Sequence, residues 1–134
     1  MKANSANALR TMLSLAIGAL ATFVLAAAAD AQEPRCRAKY RFIWGQHSEG
    51  WFAAPAGSAC RVNLRMGGLS TISSAQITER PRNGTAVTGN DGTIRFQPKS
   101  GFTGNDSITV RYTGTGREVG VPKEATVTFT IMVF

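Results

Sequence analysis

The side chains in this sequence with chemistry to offer are mostly basic. Arg35, Arg37, Lys39 and Arg41 alternate with Cys36, Ala38, Tyr40 and Phe42, and Arg61 and Arg65 stand in a second alternating run with Cys60, Val62, Leu64 and Met66. Period two is the mark of a half-buried strand. Four cations therefore share one face, and Arg61 and Arg65 extend that face on a neighbouring strand. Like charges side by side on a sheet repel unless something anionic lies across them. The ladder is thus either a binding face for an anionic polymer or partner, or a solvated edge that blocks strand-to-strand aggregation. Cys36 and Cys60 fall on the apolar side of the same two strands. Two cysteines allow one intramolecular pairing, and closing a loop of about 25 residues contributes about 3 kcal/mol in the chain-entropy model. Zinc takes four ligands, usually with closely spaced Cys or His pairs, and two separated cysteines with one histidine do not supply them.

Catalytic chemistry finds little to work with. Nucleophilic catalysis needs a nucleophile, a base and an orienting group, and His47, the only histidine, stands in a Gly- and Ser-rich break spanning 45–57. Paired carboxylates for glycoside hydrolysis would have to face each other across a cleft, whereas the acids here are scattered among turns. Calcium takes six or more oxygens, several of them carboxylates; Asn90-Asp91 and Asn105-Asp106 offer one acid per loop. Asp91 reads as a hairpin-turn residue and Asp106 as an acceptor for loop N–H groups. Trp44, Trp51 and Phe52 surround the 45–57 break, as core filling or as rings on which a sugar could stack. No interleaving of aromatic and basic residues forms the platform that single-stranded nucleic acid requires. No cofactor and no metal site is expected.

The elements that position these residues begin after residue 31. Lys2 and Arg10 precede an uncharged run from Thr11 to Ala29, and Ala29-Asp30-Ala31 is a small-x-small site. These are the three parts of a secretory signal peptide, cleaved after Ala31. The run also approaches the length of a bilayer-spanning helix, but its Ala-rich content and terminal cleavage pattern favour removal, which leaves no membrane span. Residues 32–134 then form one domain in the periplasm or outside the cell, an oxidising space in which a Cys36–Cys60 disulfide persists. Without Lys2, Arg10 and Asp30 the domain keeps 13 basic against 7 acidic residues, a formal charge near +6, which draws it to anionic surfaces, among them lipopolysaccharide and acidic polysaccharide.

Along the domain, strands are expected at 35–42, 60–66, 70–78, 85–88, 93–97, 107–112 and 125–134. Gly89-Asn90-Asp91-Gly92 is the strongest hairpin signal, because its residues tolerate positive φ. Pro98 closes the strand before it, since proline cannot donate to a ladder. About seven short strands separated by turn signals, with no helical periodicity, predict an all-β, immunoglobulin-like β-sandwich.

A resemblance supports this. Pro81-Arg82-Asn83-Gly84-Thr85, then Gly92-Thr93-Ile94-Arg95-Phe96-Gln97-Pro98, then Gly101-Phe102-Thr103-Gly104-Asn105-Asp106-Ser107 resemble the bacterial Ig-like, cadherin-like repeats strung in tandem along surface adhesins. The likeness covers about residues 76–134, and it departs at Phe96, Ile108 and Val110, which replace the aromatics usual in the repeats. It implies a structural and adhesive module in which Gly84, Asp91, Gly92, Pro98, Gly101, Phe102, Gly104 and Asp106 shape the turns. Repeats of this kind come in long arrays, and here there is one unit. The expected role is non-catalytic: an envelope protein that presents a basic face to an envelope polysaccharide, lipopolysaccharide or a protein partner. An accessory protein that pairs an open sheet edge with a partner strand and a small enzyme or inhibitor are the alternatives.

Overall fold

Alternation in the sequence becomes strand pairing in the computed structural model, which describes residues 33–64, 70–118 and 120–134. The expected signal peptide (1–31) and Arg65 lie outside the described residues. Eight strands form among those described: β1 Arg37–Tyr40, β2 His47–Ala54, β3 Cys60–Val62, β4 Thr71–Glu79, β5 Gly84–Thr88, β6 Ile94–Pro98, β7 Gly104–Thr115 and β8 Pro122–Val133. They make a five-stranded sheet in the order β1-β2-β8-β7-β4 and a three-stranded sheet in the order β3-β6-β5. All pairings are antiparallel except β2 with β8.

The core is the set of inward positions of the two sheets. Ala125, Val127, Phe129, Ile131 and Val133 of β8 are buried in alternation, facing Ile108, Val110 and Tyr112 of β7. Across from them lie Cys60, Val62, Ile94 and Phe96 of the smaller sheet. Phe52 joins the layers: its ring lies 5.8 Å from Phe96 in one sheet and 5.8 Å from Phe129 in the other. Aromatic pairs at this spacing add about 1 kcal/mol beyond their buried area. Tyr112 is fully buried and its hydroxyl has no hydrogen-bond partner among the described residues; burial pushes its pKa upward.

Three expectations are corrected. The stretch 45–57 is not a break, because His47–Ala54 is a full strand between β1 and β8. Trp51 and Phe52 consequently point to opposite faces. Nor do the basic residues share one ladder. Arg35 bridges Arg61 on the smaller sheet, whereas Arg37 begins β1 on the larger one. The chain changes sheets at Cys36, whose N–H donates to the Arg61 carbonyl. Gly84, finally, is not a turn residue but opens β5. A Cβ there would stand 2.7 Å from the Phe96 ring, so glycine serves close packing.

Of the other residues expected to shape turns, Asp91, Gly92, Gly101 and Phe102 lie in connections, whereas Pro98, Gly104 and Asp106 lie in strands. Gly92 has φ +89° in the β5–β6 hairpin, a conformation that L side chains rarely adopt. In the same turn Asp91 accepts from the Thr93 amide (3.0 Å) and hydroxyl (2.9 Å), contacts that hold its carboxyl below the usual carboxylate range. Pro98 ends β6 in a buried position; Gly101 and Phe102 lie in the β6–β7 connection, where the Phe102 amide donates to the Lys99 carbonyl; Gly104 opens β7. Asp106 of β7 reaches across to the β4–β5 connection and accepts from the amides of Arg82 (3.0 Å) and Asn83 (2.7 Å). Replacing Asp106 with Ala leaves these amides without that acceptor. Thermal or urea unfolding should show a loss of about 1–3 kcal/mol.

Candidate functional site

Cross-strand register composes the outer face of the larger sheet. Lys39 of β1 lies opposite Trp51 of β2, Trp51 beside Thr130 of β8, and Thr130 opposite Ser107 of β7. One row over, Arg37, Ala53, Met132 and Asn105 follow the same path. Between the rows and the β1 edge is a shallow depression of about 630 Å³ lined by Lys39, Arg41, Glu49, Trp51, Thr130 and Met132. Trp51 and Met132 are each 37% exposed, in contrast to Phe52, the next residue along, which is fully buried. Tyr40 closes the depression from beneath and donates its hydroxyl to the Asn63 carbonyl on the far side of the sandwich edge.

A second feature of this face is a hydrogen-bonded row across four strands. Thr126 Oγ1 lies 2.7 Å from His47 Nδ1, and His47 Nε2 lies 3.4 Å from Thr128 Oγ1. Thr128 Oγ1 is 2.9 Å from Thr109 Oγ1, which donates to Glu79 Oε2 at 3.1 Å. The carboxylate sets the direction. Thr109 spends its proton on Glu79, so its oxygen accepts from Thr128, and the Thr128 oxygen accepts from His47 Nε2–H.

His47 is therefore a fixed strand residue with both ring nitrogens engaged. The amides of Gly45, Gln46 and Thr126 beside it already donate to the carbonyls of Glu124, Ile43 and Gln46. None of these three is left to stabilise a developing oxyanion, as acyl-transfer chemistry demands. Among the described residues, no group of three or more His, Cys, Asp or Glu side chains is placed to hold a metal ion.

The smaller sheet carries the other cations. Arg35 bridges Arg61, and Arg61 lies opposite Arg95. Glu33 spans the second pair: its carboxylate accepts from Arg95 Nε (2.7 and 2.9 Å) and from Arg61 Nε (3.0 Å). The Arg95 contact, followed by that of Arg61, holds the Glu33 carboxyl below its ordinary range. Inside this row the Cys36–Cys60 disulfide joins the same two chain segments. Arg95 belongs to this cluster although sequence reading passed over it. The signal was available in Thr93–Gln97, where the residues alternating with Ile94 and Phe96 face outward.

Two sheets packed face to face, a first segment that crosses between them and a parallel pairing of an early strand with the last one define an immunoglobulin-like β-sandwich. The family model of the bacterial Ig domain matches residues 63–131, and the chain belongs to that family. The match takes in β4 to β7 and most of β8; the disulfide, β1, β2 and β3 precede it. Searches of curated proteins and of solved structures return no match. A bacterial Ig domain closed by a disulfide is a structural or binding module of an extracytoplasmic protein. Among the described residues, no helix is long and apolar enough to cross a membrane.

Proposed function

We propose that the domain is a non-catalytic binding module of the cell envelope, released into the periplasm or beyond by cleavage after Ala31, and that it holds an acidic polysaccharide along the β1 edge of its larger sheet. The observation that carries this reading is the placement of Trp51. An exposed indole stands between Lys39 and the hydroxyl of Thr130, with Arg37 and Arg41 along the same edge and Glu49 as the one acid among the described residues that line the depression. An aromatic face takes the C–H face of a sugar ring, hydroxyls take its hydroxyls, and the cations take carboxylates. A lone apolar patch would serve a protein partner as well, but three cations around one indole match a glycan that alternates ring and charge.

Binding of the domain to polygalacturonate, a soluble polyuronate, tests this by titration calorimetry at low and high salt, with dextran as the neutral control. Trp51→Ala should weaken binding at least about fivefold, the loss of a contact worth 1 kcal/mol or more. Raising the salt should weaken it further, because exposed charge contacts are screened. Equal binding to dextran, or no response to Trp51→Ala, would remove the site from the β1 edge.

A further inference from the structure

The opposite face of the sandwich carries its own row of cations. Arg35, Arg61 and Arg95 are successive cross-strand neighbours on the outer side of the smaller sheet, at the spacing of adjacent strands, about 5 Å. Three guanidinium groups at that spacing repel one another. Glu33 offsets one charge by spanning Arg61 and Arg95, yet the Arg61 and Arg95 side chains remain 52% and 38% exposed. No carboxylate among the described residues pairs with Arg35. Asp91, on the same side, also feels the Arg61 charge, although its oxygens accept from the Thr93 amide and hydroxyl; three guanidinium groups against two carboxylates still leave the row net positive. The row thus keeps an excess of positive charge on a flat sheet surface, and Glu33 displays the group it accepts: a carboxylate received by two guanidinium groups.

We infer that this row is a second site for the same acidic polysaccharide, and that the domain bridges two polymer chains, one on each face. The inference rests on the reading of the β1 edge as a polysaccharide site. Its physical basis is that the two clusters lie on the outer faces of two sheets packed against each other, so they look in opposite directions. A rigid sandwich about 10 Å thick between the sheets holds them apart. Bound on both faces, the domain is a cross-link.

Capture of one polymer by another tests this. Biotinylated polygalacturonate is fixed on beads, fluorescent polygalacturonate is added in solution, and the domain is supplied between them. Wild type should carry fluorescence onto the beads. The double variant Arg35→Ser/Arg61→Ser and the triple variant Arg37→Ser/Lys39→Ser/Arg41→Ser should each still bind polymer in titration but lose capture to the level without protein. Glu33→Gln, which uncovers the row and leaves the β1 edge intact, should increase capture. This last variant moves the signal upward, so a folding defect cannot mimic it. Wild type that binds without capture shows one polymer wrapped around the edge or held at one face, and overturns the bridge while sparing the β1 site. Undiminished capture by Arg35→Ser/Arg61→Ser also overturns it. Absence of binding by wild type in the titration counts instead against the polysaccharide reading itself.

Discussion

Reduction of the Cys36–Cys60 disulfide should lower the stability of the domain by about 3 kcal/mol, the chain-entropy value for a loop of this length. Domains of this size have roughly 5–10 kcal/mol in total, so the loss is a large share. The location of the bridge makes the effect specific. Among the described residues, the segment 33–36 is the part laid against the free side of β3, by two backbone hydrogen bonds between Pro34, Cys36 and Arg61 and by the Glu33 contacts. Once the bridge opens, this short segment must find its place unaided, and β1 follows directly from it. Urea unfolding with and without reductant measures the loss. At an m-value near 1–1.5 kcal/mol/M the midpoint should fall by roughly 2–3 M. A midpoint indifferent to reductant would mean that the hydrogen bonds and ion pairs alone fix the segment.

Replacing Phe52 with Ala should cost more, about 3–5 kcal/mol, the range for removing a fully buried aromatic ring. Phe52 is the one side chain of β2 that touches rings in both sheets. Trp51→Ala, one position away, removes a larger ring but should change stability by no more than about 0.5 kcal/mol, as expected for a surface site. The contrast between neighbours is the test of β2 as a strand. A loop at 45–57 would make both substitutions mild. Equilibrium unfolding of the two variants side by side decides it, and the same Trp51→Ala protein then serves the binding measurement.

Much of the fold could be read in advance because its strands bury one face and wet the other. In β8, every second residue from Ala125 to Val133 is apolar and every one is buried. The β5–β6 hairpin announced itself through Gly89–Gly92. The same logic explains why β2 was hidden. Its inward positions are Ser48, Gly50, Phe52 and Ala54, with one large apolar side chain among them. Gly50 is required because a Cβ there would lie 2.7 Å from the Tyr40 Cβ. A strand whose core face is small has no hydrophobic period to detect, and its parallel partner is distant in sequence. The cationic ladder misled for a different reason. Alternation shows which residues share a side, but it does not reveal that the chain leaves one sheet for the other at Cys36. The candidate site inherits both difficulties. Lys39 and Arg41 were visible as cations and Trp51 as an aromatic, but only the β1–β2 register makes Lys39 and Trp51 neighbours.

The place of β8 has a consequence for how the chain assembles. The last of the eight strands to be synthesised is the central strand of the five-stranded sheet, flanked by β2 and β7. Before it exists, β1 and β2 have no sheet to join, since their only route to the rest of that sheet passes through β8. The joining contacts are distant, as between His47 and Thr126, 79 residues apart. Non-local pairings of this kind close slowly, because the entropy of a long loop must be lost before the contacts form. The larger sheet is therefore a late event. A nascent chain halted before Pro122 holds only fragments of it, the β1–β2 pair and the β4–β7 pair.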